Sequence, residues 1–215
     1  PAGAVLILVT FRPEALLSTV LSRTQTVPFA PLSREACERV LAQDHGVSPA
    51  DAAELAALST GCPGRALELR ASPAYDERGK IADLLAALER ENVFETAEAI
   101  LALARATSPG EGLEPLRAGL RTVFSLAGAF LRDVEIGRFE ETPAIGASLA
   151  EAAARAREAG APGWAARALE RLDRARQALE GNVTPALVVE WWLSQVLRAR
   201  RAGRGEGNTD DPGLR

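Results

Sequence analysis

Side chains that hold metals or run nucleophilic chemistry are scarce in this sequence. Its 215 residues include two cysteines, one histidine and no methionine. Cys37 and Cys62 stand far apart, and neither belongs to a C-x-x-C pair or a Cys/His cluster of the kind that wraps a zinc ion. Both are expected to be reduced thiols of a cytoplasmic protein. His45, the single histidine, sits beside Gly46 at an expected helix end, a place for capping or solvation. No metal cluster, general acid/base pair or nucleophile triad is expected.

Long apolar runs are also missing. Val5-Leu6-Ile7-Leu8-Val9 falls well short of the about 20 residues that span a bilayer, and no basic segment precedes it as in a secretory signal. No contact with a membrane is expected. Charge of one sign is not in excess either: 25 basic against 29 acidic residues give a net of −4, so no broad basic surface for nucleic acid is implied. Any DNA contact has to be local or shared with partners. Lys80 is the only lysine, and the arginine bias reads as base composition of the gene. No G-x-x-x-x-G-K-[ST] loop is present, so these residues cannot cradle ATP by themselves.

Strand signals are confined to the start. Ala4 to Val9 is a continuous apolar run rich in β-branched residues that ends at Thr10, as a strand buried on both faces would. Pro13-Glu14-Ala15-Leu16-Leu17 then offers proline at a first helical position with an acid in the first turn. Residues 25–29 give a second extended piece. Two strands cannot make a sheet buried on both faces. The expectation is the end of an α/β domain, its earlier part lying outside these residues.

From Ser33 onward the pattern is helical. Ser33 caps a helix with apolar positions Ala36, Cys37, Val40 and Leu41, closed at His45-Gly46. Ser48-Pro49-Ala50-Asp51 combines an N-cap, a first-position proline and an acid, opening a second helix through Leu58. Gly61-Cys62-Pro63-Gly64 reads as a turn and Arg65 starts a third helix. Ala71-Ser72-Pro73 reads as a hinge. Longer amphipathic helices are expected over 81–88, 93–106, 113–136, 145–159 and 164–179, and a last one from the Thr184-Pro185 cap to about Arg201. The tail over 203–215 is expected to be disordered. Of Trp191-Trp192, one ring is expected in the core and the other at a contact. Arg198, Arg200, Arg201 and Arg204 are expected at a solvated helix end.

I-L-V-T (7–10), R-P-E-A-L-L (12–17), L-S-R-T-Q (21–25), P-L-S (31–33) and G-C-P-G-R-A-L (61–67) together resemble the second half of a clamp-loader AAA+ module. The likeness covers residues 4 to about 70. N-V-T-P-A-L-V-V-E-W-W-L (182–193) is similar to the last helix of that family's collar. The resemblance implies a mainly α chain in four parts: the end of a AAA+ RecA-like domain with one or two strands (1–30), a three-helix lid (31–72), a helical collar (73–201) and a tail (202–215).

It also implies roles. Thr10 takes the place of sensor 1, where a hydroxyl detects the terminal phosphate; read alone, it is a threonine capping the turn before Pro13. Ser22-Arg23-Thr24 is similar to the family's S-R-C motif, whose arginine enters the ATP site of the adjacent subunit; Thr24 departs from the usual cysteine. Read alone, Arg23 is a surface arginine favoured by a helix C-terminus. In ATP-hydrolysing gamma/tau subunits the sensor 2 turn reads like G-S-x-R. Here Gly64 stands where that arginine would be, and Arg65 follows one residue later. A one-residue shift turns a helical side chain by about 100°, so Arg65 is expected to point elsewhere, as in the delta-prime kind of subunit.

The implied function is loading of a sliding clamp onto primed DNA by a DNA polymerase III clamp loader. The chain would join gamma/tau and delta subunits in a hetero-pentamer, serve ATP and Mg bound next door, and hydrolyse none itself. A gamma/tau-like ATPase and a non-catalytic helical scaffold are the alternatives.

Overall fold

A computed structural model describes residues 3–10, 13–137 and 147–202 of the chain. Among these residues there are eleven α-helices, one 3-10 turn and no strand. The chain is mainly α. It divides into two compact bodies, residues 1–31 and the rest.

The first body contains the 3-10 turn Pro13–Ala15 and the single-turn helix α1, Ser18–Leu21. The strands expected over residues 4–9 and 25–29 do not form. Val5, Leu6, Ile7, Val9, Val27 and Phe29 are exposed, Val9 by 95 %. A β-strand exists through the ladder of hydrogen bonds to its neighbour, and no described segment offers one. Apolar, β-branched residues fit a sheet but cannot make one.

In the second body local signals translate directly into helix ends. Helix α2, Arg34–His45, starts where the Ser33 hydroxyl accepts the Ala36 amide at 3.2 Å and stops at Gly46, whose φ of 60° suits a residue without Cβ. Helix α3, Pro49–Leu58, opens on Ser48, which accepts the Asp51 amide and donates to the Asp51 carboxylate at 2.7 Å. Helix α4, Pro63–Arg70, begins at Pro63, two residues before the position expected from the sequence, because proline at a first helical position needs no amide partner. At the turn before it, Gly61 has a φ of 78° and a Cβ there would overlap the Leu32 carbonyl, while the Leu32 amide donates to the Gly61 carbonyl at 2.8 Å.

The expected hinge at 71–73 is a helix boundary. Ser72 caps helix α5, Pro73–Asp76, by accepting the Ala74 amide, and Ala74 and Tyr75 are buried. Helices α6 (Arg78–Ala86), α7 (Val93–Thr107), α8 (Leu113–Ile136), α9 (Ala147–Glu158), α10 (Trp164–Leu179) and α11 (Pro185–Arg201) follow. The loop expected after Gly137, the start of the helix expected at 145, and the tail over 203–215 lie outside the described residues.

Helix α8, 24 residues and so about 36 Å long, is the axis. Its buried stripe of Leu120, Val123, Phe124, Ala127, Leu131 and Val134 is covered by α7, α10, α9 and α6. Trp192 of α11 meets Phe124 with ring centroids 5.2 Å apart. Trp191 beside it is only partly buried, packed against the edge of the core. Among the described residues no helix is long and apolar enough to cross a membrane.

Candidate functional site

The residues singled out by the sequence fall into two groups, one in each body. In the first body α1 ends in a tight turn. The Ser22 amide donates to Ser18, the Arg23 amide to Val20 and the Thr24 amide to Leu21, at 2.9, 3.1 and 3.3 Å. The two flanking hydroxyls turn inward: Ser22 Oγ donates to the Thr19 carbonyl, and Thr24 Oγ1 reaches the carbonyls of Val20 and Leu21. Arg23, between them, is exposed. Among the described residues no acid pairs with it within 4 Å, so its five N–H donors face water. Thr24 thus does what a small polar residue can do at this place, closing the helix through its own side chain. Thr10 is exposed at the end of the extended stretch.

In the second body, Gly64 lies in the first turn of α4 with nothing within 4 Å of where a Cβ would be. The position has room for a side chain and presents none. Arg65 points across to α8, where its Nη2 donates to Ser125 Oγ at 2.7 Å. An open cleft of about 190 Å³ lies at this contact, lined by Arg65, Glu68, Leu69, Arg121, Thr122 and Ser125. Its second guanidinium is already engaged. Arg121 binds Glu180 with two hydrogen bonds of 2.8 and 3.1 Å and Glu114 with one of 3.1 Å. These bonds hold the Arg121 guanidinium more firmly protonated than usual and lower the Glu180 carboxyl below its ordinary range.

Two further groups of charged side chains escaped the sequence reading. Arg200, expected at a solvated helix end, is 6 % exposed; it belongs with Trp192 and Val196 on the inner stripe of α11, a spacing of four that marked it as core-facing. Arg198 and Arg201 are exposed as expected, and Arg204 lies outside the described residues. Glu54 is 7 % exposed and paired with Arg78. Its signal was an acid in the middle of the apolar helix PADAAELAAL, past the first turn where Asp51 serves the cap.

His45 is exposed at the last position of α2. Cys37 is buried against Ser59 and Cys62 is half-buried, both as free thiols. Among the described residues no group of three or more His, Cys, Asp or Glu could hold a metal ion. No protein-family model, curated protein or solved structure matches this chain.

Proposed function

We propose that this chain is a delta-prime-like subunit of a bacterial DNA polymerase III clamp loader, in which Arg23 is presented to ATP held by a neighbouring subunit. The observation that carries the reading is the state of Arg23: exposed, without an acidic partner among the described residues, and flanked by two hydroxyls folded back onto the helix. Negative charge spread over a transferring phosphoryl group calls for a planar, permanently charged donor, and a finger of this kind contributes about 10³ to 10⁵ in rate. A guanidinium that no described acid engages has its charge available for that purpose.

The second group supports the direction of the chemistry. Gly64 offers no side chain to a nucleotide held in cis, and Arg65 is engaged with Ser125. ATP and Mg belong to the neighbour. The gamma/tau and delta subunits are the partners, the helices of residues 73–201 form this subunit's share of a collar, and the assembly delivers the sliding clamp to primed DNA in the cytoplasm.

The test is reconstitution with the partner subunits. Replacing Arg23 by Ala should leave assembly intact on size-exclusion chromatography and lower ATP hydrolysis stimulated by clamp and primed DNA. Hydrolysis at the wild-type rate would overturn the assignment.

A further inference from the structure

Glu54 is the one acid in the middle of α3, and its partner Arg78 opens α6, 24 residues away. Arg78 Nε and Nη2 grip the two carboxylate oxygens, the second at 3.1 Å. The same guanidinium lies 4.0 Å from the centroid of the Tyr75 ring, and its Nη1 donates to the Tyr75 carbonyl at 2.8 Å. A second polar tie joins Arg65 of α4 to Ser125 of α8. Both ties span the seam between helices α2 to α4 and the helices that follow them. Between the two parts the chain passes through Ala71 and Ser72, where α4 has ended and α5 has not begun.

We infer that this seam is a latch: residues 33–70 close on the helices from α5 onward through Glu54, Arg78 and Tyr75, and swing about residues 71–72 when the pair is broken. The choice of side chains argues for it. A permanent seam is served as well or better by apolar residues of the same volume, whereas a buried pair that loses one member is strongly unfavourable. What a carboxylate, a guanidinium and a phenol add is that each hydrates readily when the seam opens. An apolar seam opened to water would instead expose a sticky patch. Apolar contact continues across the boundary, so the pair sets the balance between closed and open rather than carrying closure alone. The inference stands independently of the role of Arg23.

The experiment is a distance measurement by pulsed electron paramagnetic resonance on the full chain. Spin labels go on α2 and α8 through Gln43→Cys and Arg132→Cys, both exposed, in a Cys62→Ser background with Cys37 left buried. The unaltered pair should give one narrow distance distribution. Glu54→Gln and Arg78→Gln should each broaden it and add a longer component, with helical circular dichroism retained. The exchanged pair Glu54→Arg with Arg78→Glu should restore much of the narrow peak. Unchanged distributions in both single variants would overturn the latch. Loss of helical signal in both would also overturn it, since the pair would then maintain the fold and not a movable seam.

Discussion

Arg200 lies over the indole of Trp164, its guanidinium carbon 4.6 Å from the ring centroid, with both side chains buried. Its Nη1 donates to the Leu88 carbonyl at 2.8 Å and its Nη2 to the Leu85 carbonyl. Those carbonyls lie at and just beyond the end of α6, where regular helical partners run out, although the Leu85 carbonyl also takes the Leu88 amide at 3.4 Å. One side chain from the last helix therefore finishes the sixth and stacks on the start of the tenth. Arg200→Ala should lower the unfolding free energy by about 2–4 kcal/mol, from the lost bonds to the Leu88 and Leu85 carbonyls and the lost cation–π contact. Arg200→Lys should recover less than half, since an ammonium cannot fork between two carbonyls over a ring. Urea unfolding followed by circular dichroism measures both.

Gly119 and Gly64 are both helical glycines, and they should respond to alanine with opposite signs. A Cβ on Gly119 would overlap the Ala104 carbonyl, so α7 and α8 touch there backbone to backbone. Gly119→Ala should cost about 1–3 kcal/mol through forced separation of the helices. Gly64 has open space around it, and Gly64→Ala should stabilise by about 0.5–1 kcal/mol from helix propensity alone. If Gly119→Ala raises the unfolding midpoint as Gly64→Ala does, the close crossing of α7 and α8 is wrong.

The chain has a single tyrosine, so alkaline titration reports one site. Burial, with the charge of Glu54 behind it, pushes the Tyr75 phenol up to about 12 from its ordinary 10. Between those values the folded chain keeps a proton that the unfolded chain has released. The stabilisation is complete below about pH 10 and is lost as pH climbs through about 12, amounting to roughly 1–3 kcal/mol. The loss should be absent in Tyr75→Phe. Absorbance of the phenolate near 295 nm should stay low at pH 11 while the chain is folded, and Arg78→Gln should separate two geometries: a seam that remains closed loses a cation and titrates higher, whereas an open seam titrates near 10.

What was legible beforehand was local. Ser33, Ser48 and Gly46 act within one turn of their own positions, and each behaves as its type suggests. The strand expected over residues 4–9 failed because pairing is a relation between segments, and composition speaks only to one of them. The tasks of particular arginines were not legible for a related reason. Three of them serve helix ends: Arg117 on the Gly181 carbonyl at 2.7 Å and Arg167 on those of Ala199 and Ala202 at 3.0 and 3.1 Å, as Arg200 does for α6. A forked cation reaching two carbonyls suits that task better than the point charge of a lysine. The partners lie 32 to 115 residues away in sequence for these three arginines, beyond the reach of any periodicity.

Arg23 calls for a pair of substitutions, because loss of activity alone would not tell a finger from a charge that attracts a partner. The side chain is exposed and bonded to no described residue, so Arg23→Ala and Arg23→Lys should each change stability by less than about 0.5 kcal/mol. In the assembled loader, Arg23→Ala should reduce single-turnover ATP hydrolysis at the neighbouring site at least about tenfold. Arg23→Lys keeps the charge and loses the planar fork. If Arg23 meets the phosphoryl group in the transition state, lysine should remain strongly impaired, with nucleotide binding little changed. If lysine restores the rate, Arg23 acts as a general positive charge at the subunit boundary, and the finger assignment fails even though the alanine result would have seemed to support it.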